Sequence, residues 1–167
     1  MRINLGATGK DRSMVLETER LVMHAASEDE MRSMIAKQTD KELIKAYREM
    51  LQGCLDHPKD WQWYAAWMIE LKNGAEIGDL CFKGLNDDGC VEIGYGITEE
   101  NQGRGYATEA VEAAVEWALK QPGVCRVEAE TDPENKKSQR VLEKCGFVPT
   151  GIMGEEGPRY RRDNGKW

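Results

Sequence analysis

No apolar run in this 167-residue chain approaches the roughly 20 residues that a membrane-spanning helix needs, so no membrane partner is expected. Histidine is scarce, with only His24 and His57. The five cysteines (Cys54, Cys81, Cys90, Cys125 and Cys145) are odd in number, scattered and nowhere spaced as C-x-x-C. That excludes the usual zinc patterns and a disulfide framework, so no metal is expected and the thiols read as small apolar side chains. Positive charge is not in excess either. A net charge of −7 disfavours nucleic acid, because phosphate binding needs a basic surface, and leans weakly toward a cationic acceptor such as an amine. The basic residues near the start have no apolar stretch behind them, so no secretory signal is expected and the cytoplasm is the expected compartment. Repeats, low-complexity tracts and Pro/Ser-rich linkers are missing too.

What remains is ordinary globular composition, 40% hydrophobic and 32% charged. The length suits one well-buried core. Residues 1–14 read as a flexible leader and residues 15–167 as a single domain. Leu21-Val22-Met23 marks a first strand within Glu17–His24. Ser27 and Glu30 form a capping box before Met31, Met34 and Ile35, and a second helix starts near Asp40 with Gly53 as its stop. The runs Trp61–Leu71 and Glu76–Lys83 read as strands joined at Asn73-Gly74, the strongest short hairpin signal. Val91–Ile97 is a further strand, and Thr108–Leu119 carries a helical apolar stripe stopped by Pro122-Gly123. Val124–Thr131 follows as a strand, a helix opens at Asp132-Pro133 and ends at Gly146, and Val148–Met153 and Pro158–Arg162 close the chain. The order is β-α-α-β-β-β-α-β-α-β-β. It predicts an α/β fold: a single mixed, mostly antiparallel twisted sheet with a central parallel β-α-β crossover and helices on both faces.

Chemistry concentrates between Val91–Ile97 and the helix that follows. Gly103 and Gly105 let backbone N–H groups approach a ligand, and the loop runs straight into a helix N-terminus, whose free N–H groups and dipole favour an anion. A phosphate or pyrophosphate site is one reading, and an ordinary Gly-rich turn is the other. The Walker pattern is absent, since no Gly-Lys-Ser/Thr follows, and the dinucleotide pattern fails because Thr108 holds the third small position.

Gln102, Gly105 and Ala107 resemble the Q/R-x-x-G-x-G/A signature of the Gcn5-related N-acetyltransferase (GNAT) superfamily. Asn135, Ser138 and Gly146-Phe147 resemble the helix that follows it in that family. Thr18-Glu19-Arg20-Leu21 is similar to the opening of the branch that acetylates ribosomal-protein N-termini, and Glu155–Tyr160 to a tail of bacterial members. The resemblance implies an acetyl-CoA-dependent N-acyltransferase that moves an acetyl group to a primary amine by direct attack, a protein N-terminus among the acceptors. It implies that Gln102, Gly103, Arg104, Gly105, Tyr106, Ala107 and Thr108 cradle the pyrophosphate of acetyl-CoA. Asn135 would then touch the pantetheine or adenosine end, Ser138 would lie near the thioester, and the strand ending at Ile97 would pair its backbone with the pantetheine arm. Gly94 and Gly96 fit that independently, as glycine inside a strand often marks a bulge or close backbone approach, against the reading of a merely twisted strand. Dimers are common in the family, which leaves a homodimer open.

Amine acylation needs a base for the ammonium, donors for the oxyanion and a proton donor for the departing thiolate. Glu92 is the candidate base, against a plain solvated glutamate, with Glu155 and Glu156 as second choices. The family's tyrosine one turn before Gly-Phe is replaced by Leu142, so Ser138 becomes the candidate acid, against a helix-surface serine, and Tyr160 an outside one. The missing tyrosine motivates an alternative: a non-catalytic acyl-CoA-binding or sensing domain. Cys145 has no histidine partner and reads as structural. The acceptor pocket is expected from the first two helices and the Trp61–Trp67 strand. Its aromatics (Trp61, Trp63, Tyr64 and Trp67) read as core or as a wall for a cation.

Overall fold

A computed structural model of the protein describes residues 2–5 and 14–165. Two compact units divide the chain, residues 1–82 and 83–167.

The first unit is a meander of antiparallel strands with helices inserted after the third. Strand β1 (Arg2–Leu5) pairs with β2 (Met14–Glu17), Arg2 opposite Glu17. Part of the expected leader is therefore a strand, while residue 1 and residues 6–13 lie outside the described residues. Strand β3 (Leu21–Ala25) alternates buried Leu21, Met23 and Ala25 with half-buried Val22 and His24, the period of a half-buried strand. Helix α1 (Glu28–Lys37) begins with the expected capping box: Ser27 Oγ accepts from Glu30 N at 3.1 Å and Glu30 Oε1 accepts from Ser27 N at 3.2 Å. Helix α2 (Lys41–Asp56) is capped by Asp40 as expected. Gly53 does not stop it. It lies inside the helix, where a Cβ would come 2.8 Å from Tyr64 Cδ1, so its role is to admit that ring.

The segment before β4 also departs from expectation. Trp61–Tyr64 is a short helix, α3, entered through a 3-10 turn at Pro58–Asp60, and strand β4 spans only Ala66–Leu71. Pro58 stands at the first position of that turn, which outweighs the β-propensity of the aromatics. Trp61 Nε1 then donates to the Ala26 carbonyl at 2.8 Å and Trp67 Nε1 to the Gln62 carbonyl at 2.9 Å. Buried Trp63 and Trp67 meet Phe82 edge-on, at centroid distances of 5.2 and 6.1 Å. Of the two readings of this cluster, Trp63 and Trp67 take the core one. The Asn73-Gly74 turn joins β4 to β5 (Glu76–Leu85) as an antiparallel hairpin, with Gly74 at φ +90°.

In the second unit, strand β6 (Cys90–Ile97) leads to helix α4 (Tyr106–Leu119) and then to β7 (Arg126–Glu130), which runs parallel to β6. Helix α5 (Lys136–Lys144) starts three residues later than the Asp132-Pro133 signal suggests, because Asn135 is the cap: its Oδ1 accepts from Ser138 N at 3.1 Å. Strands β8 (Val148–Met153) and β9 (Pro158–Asp163) close the unit in the order β6-β7-β9-β8. Val91, Ile93, Val127 and Ala129 pack the inner face of the strands, and Ala110, Val111, Ala114, Val115 and Ala118 are the buried stripe of α4. Mostly antiparallel strands with one parallel crossover make the mixed α/β class that the element order predicts. Among the described residues, no helix is long and apolar enough to cross a membrane.

Candidate active site

The parallel pairing of β6 and β7 stops early. Cys90, Val91 and Glu92 face Arg126, Val127 and Glu128, and then the ladder ends although β6 runs on to Ile97. Backbone groups of Ile93–Ile97 on that side are left outside the ladder and suit an extended ligand chain. Beyond Ile97 a 3-10 turn (Glu99–Asn101) turns the chain toward α4. Gln102 Nε2 donates to the Ile97 carbonyl at 2.8 Å and Asn101 Nδ2 to Thr98 Oγ1 at 2.8 Å, which fixes the loop from within. Gly103 and Gly105 stand at φ +77° and +83°, a region that costs other L-residues strain.

Gly105 is the N-cap of α4 and supplies no side-chain hydrogen bond, whereas α1, α2 and α5 are each capped by a side chain. The first N–H groups of α4 therefore face outward at the positive end of its dipole. They border a cleft of about 510 Å³ lined by Tyr95–Ile97, Asn101–Gly103, Gly105–Thr108 and one face of α5. Every cofactor-binding residue expected from the sequence lines it except Arg104. Lys137, Arg140 and Lys144 line it too and were not anticipated, although their spacing along one helix face was legible. A glycine-rich loop, a helix N-terminus and three cations suit a large polyanion, and the donor set fits a pyrophosphate-bearing ligand.

Ser138 reaches this cleft from the third position of α5. Its Oγ lies 2.9 Å from the Tyr95 hydroxyl, which also donates to the Ser138 carbonyl at 3.3 Å. Burial pushes the Tyr95 phenol above its ordinary value, and the Ser138 hydrogen bond opposes this only in part. Sequence reasoning missed Tyr95, although it is flanked by two glycines already marked for close approach. Leu142 is fully buried, as its apolar register implies, and offers no proton. Cys145 is buried beneath α4, with Sγ 3.5 Å from the Thr108 carbonyl, and burial pushes its thiol up to about 12, far from a nucleophile at neutral pH.

Glu92 lies on the opposite face of β6 from Tyr95, since side chains alternate along a strand. Both its oxygens are engaged: Oε2 meets Lys83 Nζ at 3.0 Å and Oε1 meets Arg159 Nη1 at 2.8 Å. Arg159 also reaches Glu128 at 3.0 Å and Glu130 at 3.3 Å, so three carboxylates converge on one guanidinium. Glu155 and Glu156 are exposed in the β8–β9 turn, and Tyr160 is buried in β9. Among the described residues, no cluster of His, Cys, Asp or Glu is placed to hold a metal ion.

Comparison with known proteins bears on what this cleft serves. The Acetyltransferase (GNAT) domain family matches residues 12–148. Among curated relatives, the uncharacterized N-acetyltransferase YjdG of Bacillus subtilis is 36% identical over 87 residues, 51% of this chain and 52% of that protein. The chain thus spans about half the length of YjdG. It aligns more fully with the uncharacterized N-acetyltransferase YoaA of the same organism, at 27% identity over 163 residues and 90% of each. Among solved structures, the ribosomal L7/L12 alpha-N-protein acetyltransferase RimL in complex with coenzyme A has a TM-score of 0.71 at 18% identity. The alignment covers 89% of this chain and 97% of that one, a likeness of fold. A domain match over most of its length places this chain in the GNAT acetyltransferase family.

Proposed function

We propose that this enzyme transfers the acetyl group of acetyl-CoA to a primary amine by direct attack, with residues 15–167 acting as one N-acetyltransferase domain in the cytoplasm. The observation that carries this reading is the cleft itself, an uncapped helix N-terminus and three cations set beside the unladdered stretch of β6. The family match runs across both compact units, which supports one functional domain.

In this reading the amides of Gly103–Thr108 hold the pyrophosphate, with Lys137, Arg140 and Lys144 neutralising phosphate charge. Asn135 spends its carbonyl oxygen on the α5 cap and offers its amide N–H groups to the ligand. Ile93–Ile97 hold the pantetheine arm by backbone pairing, and Ser138 is the group nearest the leaving sulfur. The bound co-substrate supplies an activated thioester, and the protein's part is to orient it and stabilise developing charge. Glu92 is the proposed base with the least geometric support, because an incoming proton must displace Lys83 or Arg159. Glu92→Gln is expected to lower turnover and remove the acid limb of the pH profile, and unchanged turnover with an unchanged profile eliminates it.

The acceptor has chemical rather than positional support. Within the first unit, a cavity of about 390 Å³ is lined by Glu30, Glu76, Tyr47 and Met34 among others. Tyr47 donates to buried Asp79 at 2.7 Å, and burial with the nearby charges of Glu70 and Asp79 raises the Glu76 carboxyl above its ordinary value. Lys37 lines the cavity too, but Glu30 and Glu76 outnumber it, and the negative balance favours a cationic amine. A protein N-terminus is the acceptor class we favour, in line with what RimL's name says of that enzyme.

Buried Leu142 and ion-paired Glu92 favour one competitor, an acyl-CoA-binding domain without turnover. Incubation with acetyl-CoA and a panel of N-terminal peptides, amino acids, polyamines and aminoglycosides, followed by thiol release, separates the two. Thermal stabilisation by CoA with no thiol release from any amine supports the binding domain. No stabilisation by CoA refutes both.

A further inference from the structure

Tyr95 and Ser138 come together across 43 residues of sequence, the one from β6 and the other from α5, and both line the cleft. Two arrangements of their hydrogens fit the distances. In the first, Ser138 Oγ–H donates to the phenol and the phenol donates to the Ser138 carbonyl at 3.3 Å, which turns the serine away from any ligand. In the second, the phenol donates to Ser138 Oγ at 2.9 Å and leaves the serine O–H to point into the cleft. The 2.9 Å contact is common to both, and a negative charge in the cleft selects the second, because each donor then polarises the next.

We propose that Tyr95 is the positioning residue for the leaving group, fixing Ser138 as a hydrogen-bond donor to the departing sulfur through the chain Tyr95 O–H to Ser138 O–H to S⁻. This rests on the acetyl-CoA reading above and deepens it. In the transfer, the amine lone pair forms the C–N bond, the C–S bond breaks, and its electron pair stays on sulfur. The ammonium proton leaves to solvent or base, and the released thiolate takes a proton from water. Ser138 gives up none, in accord with a hydroxyl far less acidic than a thiol of pKa about 8.5. The chain stands in for the acid that Leu142 cannot supply. A hydrogen bond to a developing charge, preformed in the site, is worth roughly tenfold or more in rate.

The test needs no acceptor amine. Free CoA carries the thiol and acetyl-CoA masks it, so calorimetric affinities for both, from about pH 7 to pH 9.5, report how well the cleft favours thiolate. Lys137, Arg140 and Lys144 also face the cleft, as does the Tyr106 phenol, while Cys145 packs behind it. All five are common to every variant, so their contribution cancels. In the wild type, the preference for CoA over acetyl-CoA is expected to rise about tenfold with pH. Tyr95→Phe and Ser138→Ala should each remove most of that rise and keep acetyl-CoA affinity within about twofold. Ser138→Thr, which keeps a hydroxyl, should retain the rise. The double variant should be no worse than Ser138→Ala alone, since the two act as one unit. A Tyr95→Phe protein that melts like wild type and shows the wild-type pH rise overturns the proposal while leaving the acetyl-CoA reading intact. Should Tyr95→Phe fail to fold, an unchanged rise in Ser138→Ala overturns it equally. A wild type that binds neither CoA nor acetyl-CoA overturns both.

Discussion

Gly103→Ala isolates the backbone contribution of the loop. Gly103 stands at φ +77°, and a Cβ built there meets nothing within 4 Å, so alanine adds strain without a clash. The left-handed region costs an L-residue about 1–2 kcal/mol. That cost has two places to appear. If the free loop keeps its shape, the protein loses about 1–2 kcal/mol of stability, a fall of roughly 2–8 °C in melting temperature for a chain of this size. If the free loop relaxes, binding must restore the strained shape, and the Kd for CoA rises roughly 5- to 30-fold. The two losses together should equal the strain, wherever it falls. Gly74→Ala is the matched control, since φ is +90° and its Cβ also meets nothing within 4 Å, in a hairpin turn with no assigned ligand. It should lower the melting temperature alone. Differential scanning calorimetry and CoA titration of both variants decide the matter. Gly103→Ala with unchanged melting temperature and unchanged CoA affinity would refute the claim that the loop binds in the strained form described.

Leu142→Ala should cost about 2–5 kcal/mol by urea unfolding, as for other fully buried leucines. Leu142→Tyr, which installs the family's usual residue, should also destabilise and bring no gain in turnover, because the position faces the core. A rise in turnover would show that the helix presents it to the cleft. Acid stability should trace the Arg159 cluster. Burial pushes the Glu128 carboxyl up, but Cys90, Arg159 and Arg126 draw it below its ordinary 4.5. A carboxylate lowered on folding stabilises fully above about pH 4.5 and loses that contribution as pH falls through its folded value. Arg159→Met should therefore lie furthest below wild type at neutral pH, and the gap in urea midpoints should narrow as pH falls below about 4.5. A gap constant with pH would remove Glu128 from the account.

Features decided by neighbours in sequence were legible, and features decided across the fold were not. The Ser27–Glu30 capping box and the Asn73-Gly74 turn satisfy their hydrogen bonds within three residues, so their residue types alone name the structure. The glycines and the helix start of the cleft were legible for the same reason, whereas the Asn135 cap was not, since the Asp132-Pro133 signal opened that helix three residues early. Trp61 and Trp63 misled because a local proline turn and a hydrogen bond to Ala26, 35 residues away, override the strand preference of aromatics. Glu92 was legible as a carboxylate on β6. Its two cations, Lys83 and Arg159, come from elsewhere in the chain and change what it can do.

Tyr95 joins the two cases. Its neighbours Gly94 and Gly96 were readable as marks of close backbone approach, and of Ile93, Tyr95 and Ile97, which share one face of β6, the tyrosine alone carries a hydroxyl. In the proposed complex the stretch of β6 beyond Glu92 receives the ligand backbone, and Tyr95 acts on that ligand through what the next helix presents. The register of α5 presents Ser138 there and turns Leu142 inward. Under that proposal the hydroxyl that Leu142 cannot supply from α5 is returned from β6, through Ser138.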